Sequence, residues 1–116
     1  MEFRVVRRTE HFDAAEHFYR DLLGWPVSKQ WPAEGDNPRG IIVAWGDSAR
    51  LEFLDAPDTP VHGVSIAVEV PDVDDTVRTL RAAGHTVDDP VLRPWGHRNT
   101  TTIDPSGIAI TFFTAV

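Results

Sequence analysis

Two stretches of the chain place apolar residues at helical spacing, and each is set among short runs with strand character. In 13-DAAEHFYRDLLG-24, with Phe12 just before it, the apolar positions are Phe12, Ala15, Tyr19, Leu22 and Leu23. Three-and-four spacing of this kind predicts a helix. Asp13 with Glu16 three residues later suits its start, and Gly24 suits its stop. In 72-DVDDTVRTLRAAG-84 the stripe is Val73, Val77 and Leu80, with Asp72 and Asp75 at the start and Gly84 at the end. Strand-like runs are 3–6, 26–31, 40–45 and 49–54 around the first helix. Around the second they are 64–70, 85–89 with its continuation 97–103, and 108–113. The segments 37-NPRG-40 and 104-DPSG-107 put Pro second and Gly fourth, as type I turns favour.

The order is therefore βαβββ twice, with 55-DAPDTPVHG-63 between. Aligning Gly24 with Gly84 brings the helices into register, and a shift of 59 brings Glu52 onto Thr111 and Phe53 onto Phe112. An internal duplication follows. The predicted fold is α+β: two tandem βαβββ modules, about 1–56 and about 62–116, within one domain spanning 1–116. The modules are expected to form a curved, half-barrel mixed sheet, helices outside, with a ligand cleft on the concave face.

Composition narrows the chemistry. There is no cysteine among the 116 residues, which excludes disulfides and thiolate metal sites. A formal charge of −7 disfavours nucleic acid and anionic membrane as partners. Acidity of this degree also serves solubility alone in bacterial cytosolic proteins. The start, MEFRVVRRTEH, has no apolar run of signal-peptide length, and no later run could span a bilayer. A cytoplasmic protein is expected.

With 18-FYRDLLGW-25, 68-VEVPDVDDTVRTLRAAG-84, 94-PWGHR-98 and 104-DPSG-107 in this order on a duplicated topology, the chain resembles the vicinal oxygen chelate superfamily. That superfamily includes glyoxalases, bleomycin resistance proteins and extradiol dioxygenases. The resemblance implies a divalent metal held by four side chains, two per module, at positions that fall here on Arg4, Glu52, Ser65 and Thr111. Only Glu52 is a competent ligand. Arg4 stays protonated, and Ser65 and Thr111 are neutral hydroxyls that suit Zn²⁺, Ni²⁺ or Fe²⁺ poorly. No pair of the five histidines has a recognised metal spacing. No metal and no cofactor are expected.

What remains is a binding surface. Four tryptophans stand at Trp25, Trp31, Trp45 and Trp95. Trp25, just past the helix stop, reads as core. Trp31, Trp45 and Trp95 fall at strand ends and in a loop, where a cleft rim collects stacking groups. Glu52 and Glu69, on the cleft side if Ser65 is, would add negative charge for a cationic group. The predicted ligand-binding residues are Trp31, Trp45, Glu52, Ser65, Glu69, Trp95 and Thr111; no catalytic residue is identified. The resemblance then implies a homodimeric, antibiotic-sequestering protein of the bleomycin-resistance type, taking a planar or cationic small molecule. The alternative is a lyase, epimerase or dioxygenase-like enzyme with an atypical or absent metal site.

Overall fold

Alternation of apolar and polar positions builds two four-stranded sheets, each with a helix against one face. The computed structural model describes residues 1–116, which divide into two compact units, Met1–Pro60 and Val61–Val116. The first unit runs β1 (Phe3–Thr9), α1 (Phe12–Glu16, continuing through His17–Leu22), β2 (Val27–Trp31), β3 (Gly40–Trp45) and β4 (Ala49–Asp55). Its sheet order is β1-β4-β3-β2, with β1 parallel to β4 and the other pairs antiparallel. The second unit repeats the plan with β5 (Ser65–Glu69), α2 (Val73–Ala82), β6 (Val91–Leu92), β7 (His97–Ile103) and β8 (Ala109–Ala115), in the order β5-β8-β7-β6. The tandem βαβββ modules are as the sequence predicts. No helix is long and apolar enough to cross a membrane.

In the first module, Ile41, Val43, Leu51 and Phe53 all point to the helix side and are buried there. Phe12, Ala15, Phe18, Tyr19 and Trp25 complete this core. Tyr19 is its centre, with ring centroids 5.0 Å from Trp25 and 5.3 Å from Phe53. The helix differs from its prediction. After Glu16 its turns widen to i→i+5 bonding, with the Leu23 amide donating to the Phe18 carbonyl at 3.0 Å. The widened turn lets the adjacent rings of Phe18 and Tyr19 both reach the core, whereas Leu22 and Leu23 stay half-buried. Asp13 does not cap the helix; its carboxylate receives Arg39 at 2.9 Å.

Strand β1 extends to Thr9, beyond the predicted 3–6, because pairing with β4 continues to Thr9 and Asp55. Arg7 is buried in that extension, its guanidinium donating to the Thr59 carbonyl at 2.9 Å. A polar run hid this strand. The β2–β3 connection turns at 34-EGDN-37, where Glu34 and Asn37 exchange backbone hydrogen bonds at 3.0 and 2.9 Å, rather than at 37–40.

In the second module the helix behaves as its sequence dictates. The Asp72 side chain accepts from the amides of Asp74 and Asp75 at 3.0 and 3.3 Å, and Val73, Val77 and Leu80 are buried. Gly84, at φ +91°, closes the helix with its amide on Arg81 and the His85 amide on Leu80, both at 3.0 Å. Arg98 of β7 donates to both carboxylate oxygens of Asp74 at 2.9 Å, tying α2 to the sheet and holding that carboxyl below its usual range.

The predicted strand at 85–89 does not form; β6 is Val91–Leu92 only. Pro90 lacks an N–H, and the hydroxyls of Thr100 and Thr102 instead donate to the carbonyls of Asp88 and Thr86, each at 2.9 Å. The turn at 104–107 is confirmed by the Gly107 amide donating to the Asp104 carbonyl at 3.0 Å.

Candidate binding face

Because paired residues share a face, the strand registers define what the first sheet presents away from its helix. One row across the sheet is Arg8, Leu54, Gly40 and Trp31; the next is Val6, Glu52, Ile42 and Lys29. Beyond them lie Arg4, Arg50 and Ala44. The middle is an apolar floor of Val6, Ile42 and Leu54, and charged groups surround it.

Glu52 stands on this face because its neighbours Leu51 and Phe53 are committed to the core. Its carboxylate accepts from the Arg4 guanidinium at 2.9 Å, and the Glu52 side chain is only 12% exposed. Glu2 also binds Arg4, and these two hydrogen bonds hold the guanidinium protonated more firmly than usual. Glu52, expected to offer negative charge to a cationic group, is paired with Arg4 in this structure.

Trp31 is fixed over Gly40. An ideal Cβ on Gly40 would stand 2.2 Å from the indole, so any other residue would displace the ring. The indole N–H donates to the Pro38 carbonyl at 3.1 Å, and the Lys29 ammonium lies 5.8 Å from the ring centroid. Trp31 also borders a groove of about 460 Å³ with Phe12, Glu16, Gln30, Pro32 and Arg39. Trp45 is not part of the face. It lies on the helix side, its ring centroid 5.4 Å from that of Trp25, so the structure does not bring it together with Glu52.

In the second module Ser65, Ala67 and Glu69 alternate with Ile66 and the buried Val68, and all three are exposed. Glu69 makes no ion pair. Thr111 shares this face through its pairing with Ala67, and its hydroxyl is 2.6 Å from that of Thr101. His97 stacks on Phe113 with centroids 4.3 Å apart. Trp95 is exposed at the β6–β7 turn, away from the paired rows.

The donor set does not fit a metal at the positions the resemblance assigns. In the first module the arginine occupies the only carboxylate. In the second, Ser65 and Thr111 offer neutral hydroxyls, and Thr111 is engaged with Thr101. Elsewhere the fold does gather a His/carboxylate group that spacing alone did not reveal. Glu10, His11 and Asp58 have ligand atoms within 4.8 Å of one another. Asp58 there accepts from the Glu10 amide at 2.9 Å and faces Arg7 at 3.9 Å, an arrangement that suits an ion-pair cluster.

Sequence reasoning did not place Val6, Arg8, Lys29, Ile42, Arg50 and Leu54 on the same sheet face as Glu52. Two-residue alternation from Glu52 would have found Arg50 and Leu54. The others needed the registers of β1, β2 and β3, which no local pattern supplies.

The chain belongs to the Glyoxalase/Bleomycin resistance protein/Dioxygenase superfamily, whose model matches residues 3–112. Among solved structures it is similar to TnmS3, an antibiotic binding protein from Streptomyces sp. CB03234, at 24% identity and a TM-score of 0.79, covering 100% of this chain and 96% of that one. It is also similar to a superfamily member from Sphaerobacter thermophilus at 21% identity and a TM-score of 0.78, covering 98% and 96%. A lactoylglutathione lyase from Agrobacterium tumefaciens matches at 19% identity and a TM-score of 0.72, covering 98% and 92%. Identities this low establish the shared fold and no shared activity. No curated protein matches the chain.

Proposed function

We propose that this protein binds a planar small molecule without a metal, in the manner of a sequestering, antibiotic-binding protein. The observation that carries this reading is the Arg4–Glu52 ion pair at 2.9 Å, which puts a cation on the one carboxylate among the four positions where the family resemblance would set a metal. The apolar floor beside Trp31 supports a flat ligand, since an aromatic ring stacks on indole and covers Leu54 and Val6. The likeness to TnmS3, an antibiotic binding protein, points the same way. We also propose a homodimer, supported by the exposed Val91, Leu92 and Trp95 around the β6–β7 turn. The second reading is an enzyme of the lyase, epimerase or dioxygenase kind, favoured only by the likeness to a lactoylglutathione lyase.

Calorimetry with 2-naphthylmethanol, a neutral planar probe, tests the binding reading on chelator-treated protein. Binding is expected to survive chelation, and Trp31→Ala is expected to weaken it by about 0.5–1.5 kcal/mol for the lost stacking alone. Binding that vanishes with the chelator, or is indifferent to Trp31, would contradict it.

A further inference from the structure

The ligand-binding face of the first sheet carries more positive charge than negative. Arg4, Arg8, Lys29 and Arg50 share it by register, against Glu52 and the nearby Glu2. This surplus opposes the overall charge of −7, so it is not inherited from composition.

The four cations are not equally available. Arg4 is held by Glu2 and Glu52. Arg50 spends its terminal nitrogens on the carbonyls of Gly46, Asp47 and Ala49, at 3.2, 3.3 and 2.9 Å. Its Nε is buried with no hydrogen-bond partner, and Glu2 lies 3.6 Å from it. Lys29 rests near the Trp31 ring. Arg8 is exposed and makes neither a hydrogen bond nor an ion pair.

Arg8 also stands at the right distance. It shares the row Arg8, Leu54, Gly40, Trp31, so its backbone is three strand spacings, about 14 Å, from that of Trp31. Both side chains are long and can lean inward over Leu54. A two-ring aromatic with an acid group at one end bridges that gap. Its ring would meet indole and aliphatic carbon, and its acid would meet a guanidinium with no competing carboxylate. Guanidinium also offers a planar two-donor fork suited to carboxylate, sulfonate or phosphate. A cationic ligand of the same shape would face the surplus and would have to displace Arg4 to reach Glu52.

We propose that this face recognises a planar aromatic anion, the ring lying on Trp31, Leu54 and Val6 and the acid group on Arg8. The proposal rests on the ligand-binding reading above and names the ligand class for it.

Three matched probes separate the two ideas by calorimetry: 2-naphthalenesulfonate, 2-naphthylmethanol and 2-naphthylmethylammonium. The sulfonate is expected to bind about tenfold or more tighter than the alcohol, as a charge-assisted hydrogen bond provides, and the ammonium to bind weakest. Arg8→Gln should abolish the preference, the sulfonate and the alcohol binding that variant with equal affinity. Added salt should narrow the preference, since Arg8 is exposed. Equal affinities, a preference for the ammonium, or a sulfonate preference that persists in Arg8→Gln would overturn the anion assignment and leave the planar-ligand reading standing. Failure of all three probes to bind would overturn both.

Discussion

Phe53→Ala is expected to lower the stability of the protein by about 3–5 kcal/mol, the usual cost of emptying a phenylalanine site in a packed core. Phe53 is fully buried, lies opposite Ile41 and Arg7 in the sheet, and has its ring 5.3 Å from that of Tyr19. Both neighbouring strands pin its backbone, so little collapse can refill the space. Urea unfolding followed by circular dichroism measures the loss. A change under about 1 kcal/mol would show that the ring is not packed as described. Glu52 precedes Phe53 and points to the opposite face, so the same strand serves the core and the candidate face by simple alternation. Any loss of probe affinity in this variant should therefore follow the loss of folded protein.

The second large effect is expected at Asp104, with Asp104→Ala costing roughly 2–4 kcal/mol. This carboxylate is buried at 3% exposure, and its Oδ1 accepts from the Ser106 amide and hydroxyl and from the Ile108 amide, at 2.9, 2.8 and 2.9 Å. Alanine would leave those buried donors without their acceptor, which costs their full desolvation. Asp104→Asn keeps an oxygen in place and should recover a good part of the loss. The turn it organises sets the entry of β8, which pairs with both β5 and β7. If Asp104→Ala unfolds within about 0.5 kcal/mol of the parent, the turn does not depend on these bonds.

Much of this architecture is written in short-range pattern. The stripe Val73, Val77 and Leu80 with Asp72 before it and Gly84 after it fixes α2 almost to the residue, because cap chemistry and periodicity agree. The duplication was visible for the same reason, since both modules repeat helix, stop glycine and final strand. What escaped was decided by tertiary contacts. Nothing local says that Arg7 and Thr9 are buried strand residues; the parallel partner β4 and the carbonyl of Thr59 make them so. Nor does the run 85–89 announce that threonine hydroxyls from β7 will take its carbonyls in place of a ladder.

The candidate site divides similarly. That Glu52 lacks metal-binding company could be read from residue identities alone. That Arg4 could partner it was a possibility the residue types left open, and the diagonal contact between parallel strands that brings the two together depends on the register of β1 on β4. Trp45 was misplaced for the opposite reason. Its position at a strand end suggested a rim, but its parity with Ile41 and Val43 turns it to the helix side against Trp25.

The central proposal is that the carboxylate at the family's metal position, which holds an arginine, takes no metal. Elemental analysis of the purified protein by mass spectrometry, run beside Glu52→Ala, tests it most directly. The comparison matters because Glu52→Ala leaves the Glu10, His11 and Asp58 cluster untouched, so any metal collected there would appear equally in both samples. The expected result is no transition metal that depends on Glu52. One equivalent of nickel, zinc, iron or manganese per chain, lost in Glu52→Ala, would contradict the account.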